Sequence, residues 1–276
     1  MAITVKSNAT AANALNNLNK TSRALSRSFE RISSGQRIAR AADDAAGLGV
    51  AENLRAASSS AAVAGRNTND GISIITVAEG ASSEVSGILT RMRELAVQGA
   101  SETLNDTERL YVQDEFTSLS SEVARIASVT EFNGAKLTDG GTTGIAVQVG
   151  INNTADDQIT ITLGDLSNST LGVDTGAIDM STAAGASAAI SVIDAAINTV
   201  SGYRSDYGAV ENRLGNALNN LETFGQSTLE AESRIRDADF GKETADLSQN
   251  QILQQAGVSV LSQAKSINQA ALSLLQ

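Results

Sequence analysis

The sequence predicts a mainly α protein, a long antiparallel helical bundle or coiled coil formed by its N- and C-terminal segments, with a small β hairpin at the distal end. Three observations carry this expectation. Apolar residues near both termini recur with spacings of three and four, the seam of a coiled coil. There is no Pro in 276 residues, so nothing forces a long helix to kink. The periodicity changes from helical to two in one short stretch, between Ile145 and Leu163.

The first helix is expected from Asn8 to Ser33, with Ser33-Ser34-Gly35 as its terminating turn, and its seam reads Leu15, Leu18, Ser22, Leu25, Phe29 and Ile32. A second helical patch covers 43–64. A third helix, 72–98, carries two neighbouring stripes: Ile75, Ala78, Ser82, Val85, Leu89, Met92 and Ala96, with Ile74, Val77, Ala81, Ile88 and Leu95 beside them. So wide an apolar face suits a bundle helix with more than one partner. Asn105 followed by Glu108 reads as an N-cap with a reciprocal carboxylate, opening a helix whose seam is Val112, Phe116, Leu119, Val123 and Ile126.

Two strands follow, alternating at Ile145, Val147, Val149 and at Ile159, Ile161, Leu163, around a turn at 152–154. Residues 164–187, rich in Gly, Ser, Thr and Ala, read as a short variable loop. Beyond it Ile190, Ile193, Ile197, Val200, Tyr207, Leu214, Leu218, Leu221 and Ile235 share one heptad frame. A continuous helix over that span is roughly 70 Å long. The last seam comprises Leu253, Gly257, Val260, Ala264, Ile267, Ala271 and Leu274.

Composition excludes most catalytic chemistry. With no His and no Cys, the chain has no Ser-His-Asp or Cys-His nucleophile system, no imidazole or thiolate metal site and no disulfide. The adjacent acids Asp43-Asp44 and Asp156-Asp157 point to different faces of either regular structure and read as solvated surface. Gly47-Leu48-Gly49 lacks the third glycine of a dinucleotide loop, since Glu52 stands there, and Arg66 occupies the first ligand position of the calcium-like run Asn67, Asn69, Asp70, Gly71. Neither enzyme activity nor a cofactor is expected. A net charge of −11 argues against nucleic acid. The lack of about 18 unbroken apolar residues argues against membrane insertion, and no basic segment followed by an apolar core marks a secretory signal. Residues 1–40 are the basic exception, with Lys6, Lys20, Arg23, Arg27, Arg31, Arg37 and Arg40 against Glu30 alone. Such a stripe suits acidic neighbours.

A series of blocks in fixed order resembles bacterial flagellin: Arg31-Ile32-Ser33-Ser34-Gly35, Asp43-Asp44-Ala45-Ala46-Gly47-Leu48, Arg66-Asn67 with Asp70-Gly71-Ile72-Ser73, Ala78-Glu79-Gly80-Ala81, Arg91 to Gln98, Thr130-Glu131-Phe132-Asn133-Gly134, Asn212-Arg213-Leu214, Ser233 to Phe240 and Leu274-Leu275. They span nearly the whole chain, and the middle is short, as in a minimal, core-only flagellin. The resemblance implies a structural subunit of the extracellular flagellar filament. Residues 1–42 with 236–276 would form the inner tube as a terminal coiled coil, and 43–235 the outer tube. It also implies unfolded passage through a dedicated type III export apparatus, a chaperone on the C-terminal segment, contacts with filament cap and hook-associated proteins, and recognition by a Toll-like receptor. The receptor residues it points to are Arg91, Glu94 and Leu95 with Glu115, although Thr90 stands where the recognised type has Gln.

The residues give their own reason for such a division. After Asp246 only Lys265 is charged, among many Gln and Asn. In a homopolymer a charge at a contact faces its own copy, whereas an amide both donates and accepts. Asn8, Asn13, Asn16, Asn17 and Asn19 weaken the first helix, and ordering each residue costs roughly 1–2 kcal/mol. The ends are therefore expected to fold on docking. Alternatives are a hook-filament junction protein, disfavoured by the match through 91–98 and 130–134, and a monomeric helical secreted protein with coiled-coil ends.

Overall fold

The computed structural model describes residues 8–176 and 178–273, with side chains to residue 266 in the last helix. Helix α1 runs Ala9–Ser34. The Asn8 side chain accepts from the Ala11 N–H at its start, and Gly35 ends it in the left-handed conformation at φ 70°, where a residue without Cβ is unstrained.

Helix α2 is a single element, Ala45–Gly99, where the sequence led us to expect two helices separated at 65–71. The polar run there does not break it because its side chains bond back along the helix. Thr68 Oγ1 donates to the Ala64 carbonyl (2.8 Å) and Asn69 Nδ2 to that of Gly65 (3.0 Å). Gly71 makes room for a neighbour: a Cβ there would lie 3.1 Å from a Val147 methyl.

Helix α3, Asp106–Val129, opens with the expected capping box, in which the Glu108 N–H donates to Asn105 Oδ1 and the Asn105 N–H to Glu108 Oε2, both at 2.9 Å. A two-residue hairpin follows, β1 (Glu131–Phe132) with β2 (Ala135–Lys136), turning at Asn133 and Gly134 with φ of 49° and 78°. Asn-Gly is suited to that mirror-image turn. Strands β3 (Gly144–Gln148) and β4 (Gln158–Thr162) pair antiparallel in the expected frame, Ile145 opposite Ile161 and Val147 opposite Ile159. A 3-10 turn at Ala155–Asp157 precedes β4.

Residues 164–182 correct the loop expectation. A short helix, α4 (Asn168–Leu171), lies within them, and Leu166, Leu171, Val173, Ile178 and Met180 are buried in the core. Polar staples hold the segment to α3. Asn168 Nδ2 and Ser120 Oγ bond at 2.9 Å, Ser120 Oγ donates to the Val173 carbonyl at 2.8 Å, and the Met180 N–H to Gln113 at 2.6 Å. Helix α5 then starts at Ala183, inside the expected loop, and continues to Arg236. Its 54 residues extend roughly 80 Å at 1.5 Å each. Helix α6 is Phe240–Ser273.

The contacts divide the chain into two compact units, one of residues up to Ala56 with those from Ser227, the other Ala57–Gln226. In the second, α2 and α5 run antiparallel, tied by ion pairs Arg93–Asp194 (2.6 Å) and Arg204–Glu79 (2.8 Å). Every member of the first α2 stripe, Ile75 to Ala96, is buried, as are Val112, Phe116 and Val123 of α3 and Ile193, Val200, Tyr207 and Leu214 of α5. The β3/β4 hairpin packs on Ile74, Ile75, Ala78, Tyr207 and Leu214, along the helices rather than beyond their ends. By length and composition α2 and α5 could each cross a membrane. In this fold the α2 stripe from Ile75 to Ala96 and Ile193, Val200, Tyr207 and Leu214 of α5 face the core, while Val77, Val97, Phe224 and Leu229 are exposed.

Candidate assembly surface

In the first unit α1 packs antiparallel on α6, so the termini meet as the shared period requires. The pairing is pinned at both ends. Arg31 reaches the buried carboxylate of Glu243 at 3.1 Å, and Asn8 Nδ2 donates to the Ala264 carbonyl at 3.1 Å. Between these points Leu18 sits against Gly257, where a Cβ would approach its methyl to 3.4 Å. The breaks in the helices are knitted together beyond Arg31. Gln36 bridges Asp237, the Arg37 N–H donates to the Arg236 carbonyl (2.6 Å), and the Ala238 N–H to that of Gly35 (2.9 Å).

Burial splits the expected seam in two. Leu18, Leu25 and Ile32, with Ala11, Ala14, Thr21 and Ser28, face α6, while Leu15 (45% exposed) and Phe29 (55%) face out along with Ser22. On α6 the inward positions are Glu243, Leu247, Asn250, Gln254, Gly257, Leu261 and Ala264, whereas Leu253 (49%) and Val260 (58%) face out. Leu15, Phe29, Leu253 and Val260 are thus not in the intramolecular seam; each lies on the flank one step round its helix. Ile267 and Ala271 lie in α6 with side chains outside the description, and Leu274 is outside the described residues.

The seam within the subunit is therefore partly polar, with Thr21, Ser28, Asn250 and Gln254 among Leu18, Leu25, Ile32, Leu247 and Leu261, and further large apolar side chains lie outside it. Phe240, Ile252 and Val258 of α6 are exposed as well. Heptad reading missed these because they fall outside the chosen frame. Their signal is that α6 is apolar in several directions at once, the pattern of a helix with several neighbours.

Of the suggested receptor residues, three come together. Arg91 on α2 donates to Glu94 (2.9 Å) and, through Nε and a terminal nitrogen, to Glu115 of α3 (2.9 and 2.7 Å). These hydrogen bonds, with Glu94 first, hold its proton more firmly than usual. Leu95 does not join them. It is 1% exposed in the core beside Met92 and Phe116, so packing excludes it from any surface contact. Among the described residues no group of three or more acidic, His or Cys side chains is placed to hold a metal ion.

Comparison with known proteins identifies the family. The bacterial flagellin N-terminal helical region matches residues 5–143 and the C-terminal helical region residues 190–275. The flagellin of Bacillus subtilis is 37% identical over 304 aligned residues, covering 99% of each chain. That of Halalkalibacterium halodurans is 42% identical over 260, covering 94% of this chain and 93% of its own. The crystal structure of Bacillus cereus flagellin is 32% identical and superposes with a TM-score of 0.50, covering 56% of this chain and 88% of that one. With family models on most of the chain and relatives matched nearly end to end, the chain belongs to the bacterial flagellin family and is a structural subunit of the flagellar filament.

Proposed function

We infer that residues 1–42 with 236–276 make the inner tube of the filament and 43–235 its outer tube, and that the terminal helices complete their folding as a subunit docks. The observation that carries this reading is the apolar outer flank of the α1/α6 pair, where Leu15, Phe29, Leu253 and Val260 are exposed although Leu18, Leu25, Ile32, Leu247 and Leu261 already fill a seam that also holds Thr21, Ser28, Asn250 and Gln254. Such a pair gains further from neighbours that cover its exposed flanks. Removing residues 247–276 should abolish seeded assembly while leaving the helicity of the Ala57–Gln226 unit by circular dichroism. Normal filaments from the truncated chain would refute the tube assignment.

The same exposed face gives an export chaperone its target. A chain leaving the cell unfolded through the type III apparatus needs Ile252, Leu253, Val258 and Val260 shielded beforehand, and outside the cell it meets the filament cap and hook-associated proteins. The Arg91–Glu94–Glu115 cluster is the proposed contact for a Toll-like receptor. A planar guanidinium is not replaced by Ala, and such anchors commonly contribute about 2 kcal/mol or more. Arg91→Ala monomers should signal less in a receptor reporter assay, and native-level signalling would remove Arg91 from that role.

A further inference from the structure

Charge is distributed unevenly along this chain. Of 20 basic and 31 acidic residues the first 40 positions hold seven and one, leaving 13 and 30, a balance of −17, for the rest. On α1 the available carboxylates are already taken: Arg31 pairs with Glu243, and Arg40 with Glu30 at 2.6 Å. Lys20, Arg23 and Arg27 are exposed on the face turned away from α6, and none forms an ion pair among the described residues. They line an open depression of about 450 Å³.

The opposite sign gathers at the start of α3. Glu102, Asp106, Glu108, Asp114 and Glu115 stand within 14 residues, with Arg109 the sole cation. Arg109 is buried and turned to the end of α2, donating to the carbonyls of Gly99 (2.9 Å) and Ser101 (3.0 Å). Among these carboxylates Glu115 is ion-paired to Arg91, and one oxygen of Glu108 accepts the Asn105 N–H of the capping box. Tyr111, 68% exposed, projects beside them over a groove of about 460 Å³ lined by Thr103, Leu104, Glu108 and Glu115. Carboxylates around an exposed aromatic ring suit a guanidinium, whose cation rests on the ring face while its N–H groups reach the oxygens.

We propose that the basic back face of α1 in one copy docks on the acidic, Tyr111-bearing groove at the start of α3 in a second copy. The proposal rests on the filament reading and names one of the contacts that builds it. Subunits of net charge −11 repel one another, and matching each copy's positive segment to its neighbour's negative groove offsets that repulsion and fixes register. Because the two patches are different surfaces of one chain, the contact is head-to-tail, and such contacts propagate into open helices when the rotation does not close.

The test uses the full chain in seeded assembly at roughly 20 mM and roughly 0.5 M salt, where screening differs severalfold in range. Arg23→Glu with Arg27→Glu, and separately Glu108→Lys with Glu115→Lys, the two carboxylates that line the groove, should each raise the critical concentration about tenfold or more at low salt, with a smaller effect at high salt. All four substitutions together should restore assembly. Native assembly by either pair at low salt, equal loss at both salts, or no recovery in the fourfold variant would each overturn the proposal. So would unchanged assembly combined with lost binding to phosphatidylglycerol vesicles, which would assign the basic face to a lipid surface. A native chain that never extends seeds would overturn the filament reading itself, and this contact with it.

Discussion

Tyr207 ties the β3/β4 hairpin to the helices of the second unit. Its hydroxyl, buried in the core, accepts the Gly164 N–H at 2.9 Å just past β4. Gly164 has to be glycine because a Cβ would lie 2.3 Å from the Tyr203 ring. Tyr207→Phe leaves the Gly164 N–H without that partner, and the loss should be about 1–3 kcal/mol by denaturant titration of the monomer. Burial pushes the Tyr207 phenol above the ordinary tyrosine value, against smaller lowering by its hydrogen bonds. An acid raised in this way ionises first in the unfolded chain. Its contribution is complete below the ordinary tyrosine value of about 10 and is lost as the pH rises from there through the higher value of the folded state. The alkaline loss of stability should therefore be smaller in Tyr207→Phe than in the native chain; equal loss would place its origin elsewhere. At this scale the sequence marked Tyr207 as core through its heptad frame, and Asn105 with Glu108 as a cap. It did not reveal that Leu95 is shut away from Arg91, because two stripes on one helix do not say which is covered.

Among the elements, the helices with one unbroken stripe were legible and the irregular segments were not. The α3 seam and the β3/β4 alternation could be read because period and secondary structure agree. The join across 65–71 in α2 could not: Asn, Thr, Asp and Gly compete for the backbone in most contexts, and here Thr68 and Asn69 turn that capacity onto the preceding turn. In residues 164–182 the buried Leu166, Leu171, Val173, Ile178 and Met180 follow no period, so composition suggested an exposed loop. The terminal helices were legible as partners but not in orientation, because stripes one position apart have the same spacing. That split separates two variants. Leu18→Asp puts a carboxylate beside Gly257 within the subunit and should weaken the α1/α6 pair by on the order of 1–3 kcal/mol. Phe29→Asp lies on the outer flank and should leave monomer helicity unchanged while raising the critical concentration for assembly. Equal effects of both on monomer helicity would contradict the assignment of inner and outer faces.

Taken whole, the molecule keeps its larger buried clusters in the Ala57–Gln226 unit, while the terminal unit leaves Leu15, Phe29, Leu253 and Val260 outward. On the proposed tube arrangement, covering these exposed flanks is what a neighbouring copy supplies. The proposed contact points the same way, since Lys20, Arg23 and Arg27 form no ion pair within the described residues and can meet the acidic surface of another copy. The most direct measurement is a cryo-electron microscopy structure of filaments grown from the purified chain on filament seeds. Phe29, Leu253 and Val260 should each be covered by side chains of adjacent copies, with Leu18 still against Gly257 of its own chain. Filaments in which those three side chains remain exposed, or a chain that stays monomeric in the presence of seeds, would contradict the account.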